Sequence, residues 1–213
     1  MRKFTSLSLA LLLVAAMTCS AFASEKADSA KAEEAVEEAT EEAEEATEEA
    51  AEEDGEVKLE TPMIVTTCGQ SPGAVMMSMV AMQAGLTSSY DNGLSADTFE
   101  AGDLKTLVVT TGTSGKGMGA AGTDVDAEIK RCTELIDKAR EAGLTIVCAH
   151  IEGMARRTDS SDQASIDAIL PLGDIIVALE ESDSDGIFSD YAKEHDIPII
   201  LVKDALSLGE YMK

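Results

Sequence analysis

Four short stretches of the sequence carry residues able to do chemistry, and each follows an apolar, β-branched run. The first is Cys68-Gly69-Gln70-Ser71-Pro72-Gly73. Its GQSPG string fits G-x-S-x-G, the nucleophile elbow, in which a sharp strand-to-helix turn exposes a serine hydroxyl. Serine before proline is also a common way to begin a helix, with Ser71 at N-cap and Pro72 at N1. That reading makes Gly69, Gln70, Ser71 and Gly73 donors toward an anion at a helix N-terminus. It is preferred, because the usual elbow follows several strands and this one follows the first.

The second stretch runs from Thr111 to Gly122. Its GMGAAG fits G-x-G-x-x-G, but the glycines lie several residues beyond the strand. The next strand ends in Cys148-Ala149-His150 rather than in a ribose-binding carboxylate. GTSGKG is not a Walker loop, since Gly117 stands where Ser or Thr should hold magnesium. What remains is a Gly-rich loop with Thr113, Ser114 and Lys116, which either closes over a ligand or forms a surface connection.

The third stretch, His150 to Asp159, holds Arg156 and Arg157, adjacent guanidiniums suited to bidentate binding of carboxylate or phosphate. The alternative is that they pair with Glu152, Asp159 or Asp162. His150 serves as a general base only if Ser71 or Ser114 approaches it from a neighbouring loop; a hydrogen-bonded structural imidazole is the plainer reading. His195 reads as a cation at a helix C-terminus. The fourth stretch, Glu180 to Gly186, lacks the EF-hand pattern, and Asp185 reads as a helix N-cap. No Cys/His spacing supports zinc, so neither metal nor cofactor is expected.

These stretches need elements to position them. Apolar runs over 63–68, 106–111, 144–149, 175–179 and 197–202 read as strands. Helical patterns fall over 74–84, 125–142, 161–170 (behind the capping box Ser160-Ser161-Asp162-Gln163) and 186–194, with 205–211 also helical. Residues 86–100 hold a poorly marked extra element. Strands apolar on both faces, alternating with helices, predict an α/β fold. We expect a single Rossmann-like three-layer sandwich with a mostly parallel five-stranded sheet. Ligands in such sheets sit beyond the strand carboxyl ends, where all four stretches fall.

Composition sets the context. The 213 residues carry a formal charge of −25 with 3% aromatics and no Trp. Such an anionic surface disfavours nucleic acid and anionic lipid, and scarce aromatics disfavour a carbohydrate-stacking platform. Residues 1–23 read as a signal peptide: Arg2 and Lys3, an apolar core too short to span a bilayer, and Ala21-Phe22-Ala23 at the cleavage site. A lipoprotein signal at Cys19 is the weaker alternative, because Ala16-Met17-Thr18 fits it poorly. Residues 24–56 form a Glu/Ala-rich linker with 16 acidic residues and 2 lysines, which leaves −13 for an α/β domain over residues 57–213. The linker is expected to be a solvated, disordered spacer, or an exposed helix along Ala35, Ala39, Ala43, Ala46 and Ala50. Cleavage leaves Cys68, Cys132 and Cys148, which cannot all pair; free thiols are expected, with a Cys68–Cys148 bridge as the alternative.

The strings TTCGQSPGAVM, GTSGKGMGAAGTDVDAEIKR and HIEGMARRTDSSD resemble a family of exported bacterial proteins known only as a domain of unknown function. The likeness covers about residues 61–213. It implies a secreted Rossmann-like domain and brings no activity, cofactor or catalytic residue with it.

The combined expectation is an extracytoplasmic domain that binds a small anionic solute without chemistry, alongside an envelope transporter or receptor. Its ligand residues are Gly69, Gln70, Ser71, Gly73, Thr113, Ser114, Lys116, His150, Arg156 and Arg157. The alternatives are a serine hydrolase or transferase using Ser71 or Ser114 with His150, and an envelope protein-interaction module.

Overall fold

A computed structural model describes residues 57–212; the signal, its Cys19 alternative and the acidic linker lie outside the described residues. Six strands are present: β1 (Met63–Thr67), β2 (Ser88–Tyr90), β3 (Thr106–Thr110), β4 (Thr145–His150), β5 (Ile175–Leu179) and β6 (Ile199–Val202). The helices are α1 (Gly73–Gln83), α2 (Gly115–Ala121), α3 (Val125–Glu141), α4 (Ser160–Ile169) and α5 (Ile187–His195). Short 3-10 turns follow β4 (Gly153–Arg156), β5 (Glu180–Asp183) and β6 (Ala205–Glu210).

The strands form one sheet in the order β2-β1-β3-β4-β5-β6, and every pairing is parallel. The sequence predicts five strands. The sixth is β2, three residues of Ser-Ser-Tyr paired to the edge of β1 through Met63↔Ser88. Its side chains are exposed or half-buried, so no apolar run marks it. Strand order reverses between β1 and β3, and in open parallel sheets that reversal opens a crevice at the strand ends.

Period-two alternation divides the sheet's side chains between two layers. Met63, Val65, Val108, Val147, Val177, Ile200 and Val202 pack with Met77, Val80 and Ala81 of α1 and with Leu208 of the C-terminal turn. Leu107, Val109, Ile146, Cys148, Ile176 and Ala178 pack on the other face against Cys132, Leu135 and Ile136 of α3, Ile166 of α4 and Phe188 of α5. The chain enters at Leu59, which lies in the α1 layer with Met212 and donates its N–H to Tyr211 O.

Several helix starts differ from expectation. The N-cap of α1 is Pro72, without a side-chain cap, so Ser71 does not cap it. Asp159 rather than Ser160 caps α4, accepting from the N–H groups of Ser161 and Asp162. Gly186, not Asp185, is the N-cap of α5, and Asp183 takes the N–H groups of Phe188 and Ser189. Part of the expected glycine loop is helical: Ser114 caps α2 by accepting from Gly117 N–H, and Gly122 ends it in the left-handed region.

Candidate functional site

The loops after β1 and β3 meet at the reversal of strand order and close on each other. Ser114 N–H donates to Gly69 O at 2.8 Å. Gly69 has φ +129°, and a Cβ there would stand 2.7 Å from Thr113 Cγ2. A Cβ on Gly117 would overlap Gln70 O. The glycines of this region therefore let two backbones touch.

Beneath that contact lies a buried ion pair that sequence reasoning missed. Arg131 Nη2 reaches Glu128 Oε2 at 2.6 Å, with the two side chains 14% and 3% exposed. Glu128 also accepts from Gly69 N–H and from Gln70 Nε2, and Gln70 Nε2 donates further to Asn92 O. Arg131 donates to Thr67 O at 2.6 Å and Leu94 O at 2.5 Å. One helix turn of α3 thus ties together the ends of β1 and β2. The available signal was a carboxylate on a buried stripe, since Glu128 shares the inner face of α3 with Cys132, Leu135 and Ile136.

The anion-binding groups are matched by internal carboxylates. Gly73 N–H, at the start of α1, donates to Glu152 Oε1 at 2.7 Å. Arg156 Nε donates to the other oxygen of Glu152 at 2.8 Å, and its Nη1 to Thr113 O. Arg157 makes a two-pronged contact with Asp185, both arms 2.8 Å, and lies over the Phe188 ring. That contact holds the Asp185 carboxyl down at about 2. Asp162, another residue sequence reasoning did not place in the site, accepts the N–H and hydroxyl of both Thr113 and Thr158. Burial pushes its pKa up, but these donors together hold it below the ordinary carboxylate value.

The nucleophile and base of the hydrolase alternative lie apart. Ser71 is fully buried, its hydroxyl 3.0 Å from Thr67 Oγ1. Thr67 continues the Met63, Val65 series that faces α1. His150 continues the Ile146, Cys148 series and stacks on Phe188 in the opposite layer. Its Nδ1 is bonded to Thr111 Oγ1 at 3.0 Å and its Nε2 to Gly153 O at 3.2 Å. Burial pulls the imidazole below its ordinary pKa, which keeps it neutral. Ser114 Oγ is engaged as the cap of α2, and Lys116 is exposed on that helix.

A cleft of about 350 Å³, lined by Ser189, Lys193 and Ile197 before β6, lies away from these loops, whereas one of about 190 Å³, lined by Ser95, Asp97, Arg131 and Glu134, borders the ion pair of Arg131. Among the described residues no cluster of His, Cys, Asp and Glu is placed to hold a metal.

Fold and site together define an α/β domain with an all-parallel sheet, whose strand-end loops are knit by their own hydrogen bonds. The chain belongs to the family described as Domain of unknown function (DUF6305), whose model matches residues 60–213. No curated protein matches it. Among solved structures it is similar to a GDSL-like lipase from Bacteroides thetaiotaomicron, at 12% identity over 73% of this chain and 75% of that one, with a TM-score of 0.35. So distant a likeness carries no argument about activity.

Proposed function

We propose that this is an exported, non-catalytic recognition domain that docks a protein partner through the layer built by α1 and the C-terminal turn. The observation behind this reading is a contrast between two surfaces. At the strand ends, most groups suited to a small ligand pair with one another. On the α1 layer, Met79, Met82 and Leu206 are 53%, 59% and 71% exposed. Met79 and Met82 are neighbours three residues apart on the outside of α1, and adjacent exposed apolar side chains are characteristic of contact sites. With −13 on residues 57–213, the complementary partner presents an apolar centre ringed by Lys and Arg, as on an envelope transporter or receptor. The signal over residues 1–23 delivers the domain across the membrane, with cleavage near Ala23. The acidic linker repels itself and anionic lipid, and so holds the domain away from the envelope surface.

A photo-crosslinker at Met79 is expected to trap one envelope protein in intact cells. A second substitution, Met82→Glu, should abolish the adduct, and a crosslinker at Lys116 should give none. An adduct that survives Met82→Glu, or that forms equally from Lys116, overturns the reading.

One observation favours a second reading, the binding of a small anion. The start of α1 and Arg156 already grip a carboxylate, that of Glu152. A ligand carboxylate or phosphate would take its place. Saturable thermal stabilisation of the wild type by such anions, lost in Arg156→Ala, would establish this reading over the first.

A further inference from the structure

The three thiols of the domain lie on one side of the sheet. Cys68 extends the Ile64, Thr66 series of β1 and packs in the layer covered by α3, and Cys148 of β4 lies in the same layer. Cys132 sits on the buried stripe of α3, and its thiol donates to Thr67 O, the carbonyl preceding Cys68, at 3.7 Å. All three cysteines are buried and none is bridged in the structure.

We propose that Cys68 and Cys132 are a dithiol pair that closes to a disulfide in the oxidising compartment to which the chain is sent, with Cys148 left as the unpaired thiol. Strand order decides between partners. β3 lies between β1 and β4. Two strand spacings put residues on β1 and β4 roughly 10 Å apart, beyond the ~7 Å between α-carbons that a disulfide tolerates. The Cys68–Cys148 bridge considered from sequence is therefore excluded by the sheet itself. Cys132 faces no such barrier, because its thiol reaches the Thr67 carbonyl bonded to the Cys68 nitrogen with no strand between. An odd set of three resolves into one pair and one remainder.

The chemistry is thiol–disulfide exchange. The thiolate of Cys68 attacks a donor disulfide, that of an exported thiol oxidoreductase or of oxidised glutathione, and expels one donor thiolate. The thiolate of Cys132 then attacks the Cys68 sulfur and expels the second. The pair loses two electrons and two protons, and the donor gains both. The local environment suits these roles. The neighbouring Cys132 thiol lowers the Cys68 pKa against the opposing effect of burial, with help from Ser165 and the Arg131 charge. Burial pushes Cys148 up to about 12, which leaves it inert. Because both partners are buried, exchange takes place in a locally opened, otherwise native chain, and the finished bond is then shielded from reductant.

The inference rests on the proposed export and not on the docking surface. It is tested on the full chain carrying Cys19→Ser, so that only the three domain thiols remain. The chain is refolded in a mixture of reduced and oxidised glutathione, alkylated under denaturing conditions and mapped by mass spectrometry. The expected product is lighter by two hydrogens before alkylation, joins the Cys68 and Cys132 peptides, and carries the alkyl label on Cys148 alone. Its melting temperature should exceed that of the dithiothreitol-treated protein by about 10 °C, given the roughly 65-residue loop that is closed. Cys148→Ser should leave the linkage and this difference unchanged, whereas Cys68→Ser should remove both. Three alkylated cysteines after refolding, or a linkage through Cys148, would overturn the proposal.

Discussion

His150 has both ring nitrogens engaged inside the fold, by Thr111 and Gly153, and its ring lies against Phe188. Burial lowers its pKa below the ordinary 6.5, and that shift has a thermodynamic consequence. Above 6.5 the imidazole is neutral in both folded and unfolded chains and adds no pH dependence. As pH falls through 6.5 the unfolded chain takes up a proton that the folded one refuses, so stability is lost until the folded pKa is reached. The drop in melting temperature between about pH 7.5 and about pH 5.5 should be larger in the wild type than in His150→Gln. Equal drops would show that His150 does not titrate this way. The sequence identified this histidine as a strand-end residue and preferred a structural role for it. It could not show that Ser71 belongs to the opposite layer, because Ser71 lies in a turn, where alternation no longer assigns a face. Glu128 and Asp162 were more accessible to reading. Each lies on the buried stripe of its helix, with Cys132 and Leu135 or with Ser165 and Ile166, and a carboxylate there must find donors.

Among the elements, the long strands were legible because both their faces are buried, which forces continuous Val, Ile and Leu. The edge strand β2 buries neither face fully and carries no such mark. α2 escaped for the opposite reason. Its Gly115-Lys116-Gly117-Met118-Gly119 has low helix propensity, and its stability comes from the Ser114 cap and from lying against Gln70. Gly117 is the contact point, and backbone cannot retreat as a flexible side chain can. Gly117→Ala should therefore destabilise the domain by about 1–3 kcal/mol in urea unfolding, although alanine is the better helix former. Gly119→Ala, where an added Cβ meets nothing within 4 Å, should be neutral or stabilising. A stabilising Gly117→Ala would mean that the two loops are not in contact.

For the molecule as a whole, charge and layering dominate. The net −13 of residues 57–213 opposes compaction through self-repulsion, which salt screens within a Debye length of about 8 Å at physiological strength. Raising ionic strength from about 0.01 M to about 0.15 M should add about 1 kcal/mol, or about 2–4 °C of melting temperature. A melting temperature that falls with salt would indicate that paired charges such as Arg157 with Asp185 outweigh the net repulsion.

The meeting of Leu59 with Tyr211 has one more implication. Residues 59 and 211 meet at a single corner, so the path through the six strands described returns close to where it started. A few Gly and Ser residues bridging that corner would let the backbone be opened instead at the exposed Gly102-Asp103 turn. The rearranged polypeptide would trace the same sheet from a different starting point.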